Sequence, residues 1–465
     1  MGTPFRERAP EGEKGVLAHM RYIPNSPTER AEMLREIGCP TVEALFRSIP
    51  EKFRLRAPLR LPPAHSEAEL LKFFRELAAR NAAATEYALF LGAGAYHHFI
   101  PSVVDALISR AEFFTVYTPY QPEIAQGTLQ ALFEYQTLVC QLTGMDVANA
   151  SLYDGSTALA EAVLMAERVT RRRDILMARS VHPEYQEVVR TYTRTLGMNI
   201  RVLDYDSETG SLPVHTLAPT AETAAVIVQS PNFFGVIEDI EAVAQRAHEV
   251  GALLIVAITE PISLGLLRPP GELGADIVVG EGQSFGIPLS FGGPYLGFFA
   301  TRERFVRQMP GRIVGQTSDS QGRRGFVMTL ATREQYIRRE KATSNICTSQ
   351  ELCALMATIY LSTLGPRGLR EVAEQNVQKA AYLARELARQ SGFRLRFSGS
   401  HFNEFVVHSD RPVARVLEKL RERKILGGLP LERYYPELRE CFLVCVTEMI
   451  TRPMLDAYLC ALDEL

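Results

Sequence analysis

The sequence predicts an α/β chain with a large, mainly parallel-sheet domain and a smaller C-terminal α+β domain. Three observations carry that expectation. Between about residues 66 and 315, short apolar runs alternate with stretches of helical period. Those runs are continuously apolar, which suits parallel strands covered by helices on both faces. Beyond about 316 the pattern changes to charged helices and short alternating strands. At 465 residues and 46% hydrophobic content, the chain can bury cores of that size.

Residues 1–65 read as an N-terminal arm with short helical pieces, ending in the turn-rich Leu59-Arg60-Leu61-Pro62-Pro63. Such an arm packs on a neighbouring subunit or domain more readily than it forms a core. Residues 156–170 have a helical apolar period, and 174–178 then read as a buried strand. A second strand is expected at 199–205. A third, at 224–229, leads through a Pro-Asn turn to a helix at 237–250. After Gly251 comes a strand at 252–257, completing a β–α–β unit. Residues 275–279 and 295–299 add two strands. In the third region, helices are expected at 332–341, 350–364 and 369–390, and strands at 393–397, 404–407 and 442–446. The layout is that of fold-type-I pyridoxal-phosphate enzymes, though many other two-domain enzymes share it.

A net charge of −3 gives no electrostatic reason to expect nucleic acid or an anionic membrane as a partner. No apolar run is long enough to span a bilayer, and the first fifteen residues are polar, without a signal core. A soluble, cytoplasmic protein is therefore expected. The seven cysteines are odd in number and scattered, with no C-x-x-C pair, so neither a disulfide framework nor a thiolate metal site is expected.

The fold-type-I layout invites a test for its cofactor, which needs three features in order. The first is a turn at a helix N-terminus to hold the phosphate. Asp154-Gly155-Ser156 opens a helix and fits, although Asp154 or Ser156 acting only as a helix cap fits equally. The second is an aspartate at a strand end, for the pyridine nitrogen. The sequence there reads Val256-Ala257-Ile258-Thr259, and alanine cannot serve. The third is a lysine after a later strand, to form the imine. The seven lysines are Lys14, Lys52, Lys72, Lys341, Lys379, Lys419 and Lys424, and none follows the strand at 275–279. Gln283 stands in that stretch instead. Lys341, in Arg338-Arg339-Glu340-Lys341, reads as part of a salt-bridged helix face. The fold is thus expected without the covalent cofactor.

Long strings then carry a resemblance. Tyr117-Thr118-Pro119-Tyr120-Gln121-Pro122-Glu123-Ile124-Ala125-Gln126-Gly127, the stretch 332–348 and the stretch 285–297 resemble the glycine decarboxylase (P-protein) family of the glycine cleavage system. The similarity runs nearly end to end, and it is to the N-terminal half, or α subunit. The resemblance implies a homologous β partner, subunit 2, in an α2β2 heterotetramer. That partner would carry pyridoxal phosphate on a lysine where this chain has Gln283, and a ring-pairing aspartate where it has Ala257. Together they would decarboxylate glycine and pass the aminomethyl group to the lipoyl group of the H-protein.

The same resemblance suggests which side chains would reach the partner's site. Gly92-Ala93-Gly94-Ala95-Tyr96-His97-His98 is a glycine-rich loop presenting Tyr96, His97 and His98, and it is expected to face the subunit interface. Tyr117, Tyr120, Gln121, Glu123 and Gln126 are further candidates, with Glu123 able to move a proton if desolvated. A hydrogen-bonded loop that only locks an interface is the other reading of this group. Arg333, Thr343, Ser344 and Asn345 are read first as an inter-domain junction and second as a carboxylate site. Two other functions stay open: a purely structural or regulatory subunit, and an independent pyridoxal-phosphate lyase using another lysine.

Overall fold

The computed structural model describes residues 25–464 apart from 56, 58, 347 and 348. The expectations for the first residues, and for Cys347 and Thr348 at the end of one family-like string, lie outside the described residues. The chain divides into two compact units, at Arg80 and Asn81. The helix Glu67–Ala78 thus belongs with the N-terminal unit, and the boundary falls after it rather than at 65.

The first unit holds the helices Pro27–Ile37 and Glu67–Ala78 with two 3-10 turns between them. Both helices begin at a capping box, Ser26 with Glu29 and Ser66 with Glu69, so their starts are encoded locally. None of these elements has a buried residue.

The second unit is built on a seven-stranded sheet. Its strands lie in the order Val147–Ala148, Gly297–Thr301, Ile277–Glu281, Leu253–Ile258, Thr223–Gln229, Asp174–Ala178 and Asn199–Leu203. The last five pair in parallel, and the first two are antiparallel to their neighbours. The strands at Thr223–Gln229, Leu253–Ile258 and Ile277–Glu281 are buried along their whole length, as continuous apolar runs require. The intervening helix is shorter than expected, Ile240–His248, because Asp239 caps it by accepting from the Ala242 N–H.

A four-stranded antiparallel sheet follows: Phe393–Leu395, Glu404–Ser409, Cys441–Cys445 and Leu429–Pro430. The two expected helices at 350–364 and 369–390 run together as Glu351–Leu387, with a kink where Gly365 takes φ 60 before Pro366. Its Ala354, Tyr360 and Leu369 pack into the core of the large sheet, whereas Leu383 and Leu387 pack into that of the small one. The change of core therefore falls along this helix and not at 315. The helix expected at 332–341 is not formed. A single turn, Gln335–Arg338, ends at Arg339 with φ 51, and Lys341 sits in the 3-10 turn Arg339–Lys341. No helix among the described residues is long and apolar enough to cross a membrane.

Candidate functional site

The carboxyl ends of the parallel strands are where an open α/β sheet places its ligands. Here they gather His182, Thr259, Glu260, Glu281 and Gln283, all buried. Against them lies the loop 92–98, which enters from the short strand Ala88–Leu89.

Gln283 is 2% exposed and reaches the loop with both ends of its amide. Its Oε1 accepts from the Tyr96 N–H at 2.8 Å, and its Nε2 donates to the carbonyls of Tyr96 at 3.0 Å and Ile287 at 2.7 Å. Every polar atom of the side chain is thereby used. The Tyr96 hydroxyl donates to Glu404 Oε2 at 2.8 Å and lies 3.3 Å from Thr259 Oγ1. Glu404 Oε1 accepts from the Ala93 N–H at 2.6 Å. Burial pushes the Glu404 carboxyl up to about 7, against the pull of these donors.

His98 is held between two carboxylates, with Nε2 2.8 Å from Glu260 Oε2 and Nδ1 2.7 Å from Glu448 Oε2. Burial alone would lower its pKa, but the two acids outweigh it and raise it to about 10. The ring is therefore an imidazolium donating at both nitrogens. Glu448 also accepts from the Phe99 N–H at 2.7 Å, so the small sheet's side of the unit grips this loop. His182 is the neutral counterpart. Its Nδ1 accepts from the Glu184 N–H at 3.2 Å, so the proton is on Nε2, which donates to the Ala93 carbonyl at 2.8 Å. Burial lowers its pKa, in keeping with that tautomer. Gly94, at φ 95, lets the backbone pass this ring, since a Cβ there would stand 3.0 Å from His182 Cδ2.

The expected phosphate turn is also occupied from within. Asp154 caps the helix Gly155–Thr170, its Oδ1 accepting from the Thr157 N–H at 2.8 Å and the Ser156 hydroxyl at 2.6 Å. The Gly155 N–H donates to Glu281 Oε2 at 3.0 Å. The other oxygen of Glu281 accepts from the N–H groups of Gln283 at 3.1 Å and Leu296 at 2.8 Å. Burial raises this carboxyl to about 7. Ala257 is fully buried in its strand. These residues do not fit covalently bound pyridoxal phosphate: no amine stands at 283, no carboxylate at 257, and an internal acid sits on the Gly155 N–H.

The sequence-derived candidates separate into three groups. Tyr96 and His98 turn inward and spend their hydrogen bonds within the chain. His97 is half-buried, and its carbonyl accepts from the Thr447 hydroxyl at 2.7 Å. Its ring pKa is lowered by burial and by the neighbouring His98 charge. The second group stays at the surface. Tyr117 is 79% exposed, and Gln121 and Glu123 are exposed, so this chain alone does not supply the desolvation that proton transfer by Glu123 requires. Tyr120 accepts from Arg312 Nη2 at 3.0 Å and lies edge-on to Tyr336.

The third group is structural. Gln126 bridges to Phe326 in both directions, at 2.9 Å and 2.8 Å, and ties its own helix to the hairpin of Ile313–Ser318 and Arg324–Thr329. Arg333 donates to the carbonyls of Met309 and Gly311, so it is not free to bind a carboxylate. Its own carbonyl accepts from the Thr343 N–H at 3.1 Å, and Ser344 Oγ accepts from the Ile346 N–H at 3.0 Å. Asn345 is exposed.

His182, Glu260, Glu281, Glu404 and Glu448 were not among the candidates. For Glu260 and Glu281 a signal existed: each is an acid at the end of an otherwise apolar strand. Glu404 and Glu448 carry no such mark.

The family model described as "Glycine cleavage system P-protein" matches residues 20–462. A protein of Koribacter versatilis described as "Probable glycine dehydrogenase (decarboxylating) subunit 1" is 53% identical over 441 residues, covering 94% of this chain and 98% of its own. A crystal structure of glycine decarboxylase (P-protein) of the glycine cleavage system, in inhibitor-bound form, superposes with a TM-score of 0.87 at 46% identity, covering 95% of this chain and 99% of that one. The Burkholderia pseudomallei sphingosine-1-phosphate lyase, at 18% identity and TM-score 0.63 over 90% of this chain and 94% of its own, shares the fold alone. The fold is that of fold-type-I pyridoxal-phosphate enzymes.

Proposed function

The chain belongs to the glycine cleavage system P-protein family, and on that premise we propose that it is the glycine decarboxylase subunit that holds no cofactor of its own. Its partner is a homologous chain, subunit 2 or β, in an α2β2 assembly in the cytoplasm. That partner bears pyridoxal phosphate, which supplies the electron sink for loss of carbon dioxide from glycine. The aminomethyl group left behind goes to the lipoyl group of the H-protein. This chain by itself does not decarboxylate glycine.

The observation that carries the reading is the Gln283 side chain. It bonds to the main chain of Tyr96 and Ile287 at the position where the family resemblance puts the imine-forming lysine. Glu281 against the Gly155 N–H supports it, because a carboxylate there repels a phosphate.

The test is spectroscopic. The purified chain mixed with pyridoxal phosphate develops no imine absorbance, and borohydride fixes no adduct to any of its lysines. Glycine decarboxylation then appears on adding the lysine-bearing partner. An adduct on a lysine of this chain overturns the reading.

A second reading, a scaffold that gives no atom to the active site, is favoured by the inward placement of Tyr96 and His98. Reconstituting the pair with Tyr96→Phe, His98→Ala or Glu123→Gln separates the two. Unchanged decarboxylation with intact assembly in all three supports the scaffold.

A further inference from the structure

The loop 92–98 is tied to the large sheet by a closed ring of hydrogen bonds. Glu404 Oε1 accepts from the Ala93 N–H at 2.6 Å, and the Ala93 carbonyl accepts from His182 Nε2 at 2.8 Å. The His182 N–H donates to Gln229 Oε1 at 2.8 Å, and Gln229 Nε2 donates to Thr259 Oγ1 at 3.2 Å. The Tyr96 hydroxyl closes the ring, 3.3 Å from Thr259 Oγ1 and 2.8 Å from Glu404 Oε2. Most of this ring has a fixed direction, because an N–H only donates and a carbonyl only accepts. Gln229 is pinned as well, with its oxygen on the His182 N–H and its nitrogen 3.0 Å from the Pro231 carbonyl. The row Glu404–Tyr96–Thr259 is different, since a hydroxyl and a carboxyl group can each donate or accept. With Glu404 ionised, Thr259 donates to Tyr96 and Tyr96 donates to Glu404. With a proton on Glu404 Oε2, Glu404 donates to Tyr96 and Tyr96 donates to Thr259, which still accepts from Gln229. Both states use the same heavy-atom positions.

We infer that Glu404, Tyr96 and Thr259 form a proton-binding relay, which takes one proton from solvent onto Glu404 by reversing two hydroxyl bonds and leaves loop 92–98 in place. The inference goes beyond the two-subunit reading and does not depend on it. The groups around Glu404 favour uptake. Its donors, the Ala93 N–H and the Tyr96 hydroxyl, are neutral. The neighbouring Glu260 instead has the His98 imidazolium at 2.8 Å and Asn403 Nδ2 at 3.4 Å. Glu448 shares that imidazolium and has Lys379 on its carbonyl, so the nearby cations are already engaged by other acids. Cys445, on the other side of Gly92's place beside Glu404, stays a neutral thiol, because burial and these acids raise it well above its ordinary value. An uncompensated charge is costly in such a place. Burial, with Glu260 beside it, accordingly lifts the Glu404 carboxyl to about 7. Glu281 titrates in the same range but lacks the device. Its donors among the described residues are main-chain N–H groups, and none of these can turn to accept.

The experiment is an infrared titration of the full chain between about pH 5 and about pH 9. A buried carboxylic-acid band is expected to grow in on acidification with a midpoint at about 7, and to be absent from Glu404→Gln. Glu281→Gln is expected to remove a separate band and keep this one. In Tyr96→Phe the band is expected to persist but to move to the higher frequency of a carboxyl group that donates to nothing. If Glu404→Gln retains every band of the parent, Glu404 takes up no proton and the inference fails. If Tyr96→Phe leaves the band where it was, the acid does not donate to Tyr96 and the inference fails as well. Should either variant not fold, crystals of the unaltered chain at the two pH values decide. Unequal carboxyl C–O bonds in Glu404 at the lower pH, with the Tyr96 and Thr259 oxygens in place, support the relay. Equal bonds at both, or a broken Glu404–Tyr96 contact at the lower pH, overturn it.

Discussion

The Gln283 side chain is joined to the main chain of Tyr96 on both sides of its Cα. The side-chain oxygen of Gln283 accepts from the Tyr96 N–H at 2.8 Å, and its nitrogen donates to the Tyr96 carbonyl at 3.0 Å. A carboxamide can do this because it carries an acceptor and two donors, whereas an ammonium carries donors only. Through this pair of bonds Gln283 fastens the 92–98 loop into the sheet's carboxyl end.

Gln283→Ala leaves the Tyr96 N–H, the Tyr96 carbonyl and the Ile287 carbonyl without this partner in a buried place. The expected loss is about 3 kcal/mol of stability, read as a lower urea midpoint. Gln283→Lys is expected to destabilise as well, and to gain no imine absorbance with pyridoxal phosphate. Ala257 and Glu281 remain unsuited to the ring and the phosphate.

His98 makes stability depend on alkaline pH. Burial opposes its charge, but Glu260 and Glu448 raise its folded pKa to about 10, above the value of about 6.5 in an unfolded chain. The folded state then holds the extra proton between those values. The stabilisation is complete below about pH 6.5 and is lost as the pH rises through about 10. Denaturation from pH 6 to 10.5 is expected to show a decline of a few kcal/mol, and His98→Gln is expected to flatten it.

Gly92→Ala is expected to destabilise by about 2 kcal/mol or more, seen in thermal melts. A Cβ there would meet Glu404 Oε1 and stand 2.7 Å from Cys445 Cβ, and both neighbours are buried.

Glu281→Ala frees the Gly155 N–H at a helix N-terminus, a place suited to anions. Millimolar phosphate is expected to raise the melting temperature of this variant and to leave that of the parent unchanged. Equal effects on both would mean that Glu281 does not close the site.

Local patterns made most of the parallel sheet legible. Runs such as 224–229 and 252–257 are apolar throughout because both faces are covered. The expected helix at 332–341 failed for a reason outside its own pattern. Arg333, charged and helix-compatible in sequence, instead donates to the carbonyls of Met309 and Gly311. Those acceptors lie on a segment whose approach no helical periodicity records.

By itself the sequence determined residue identity at the tested positions: no lysine follows the strand at 275–279, and alanine stands at 257. It determined the family in the same way, through long strings. Only the tertiary structure decided what fills the position. It brings Tyr96 against Gln283, 187 residues away, and His98 between Glu260 and Glu448, 162 and 350 residues away. Those contacts also turn Tyr96 and His98 inward. Such contacts arise from burying distant segments against one another, and a buried acid finds its donor wherever the fold places one. A local reading of either segment holds no trace of the other.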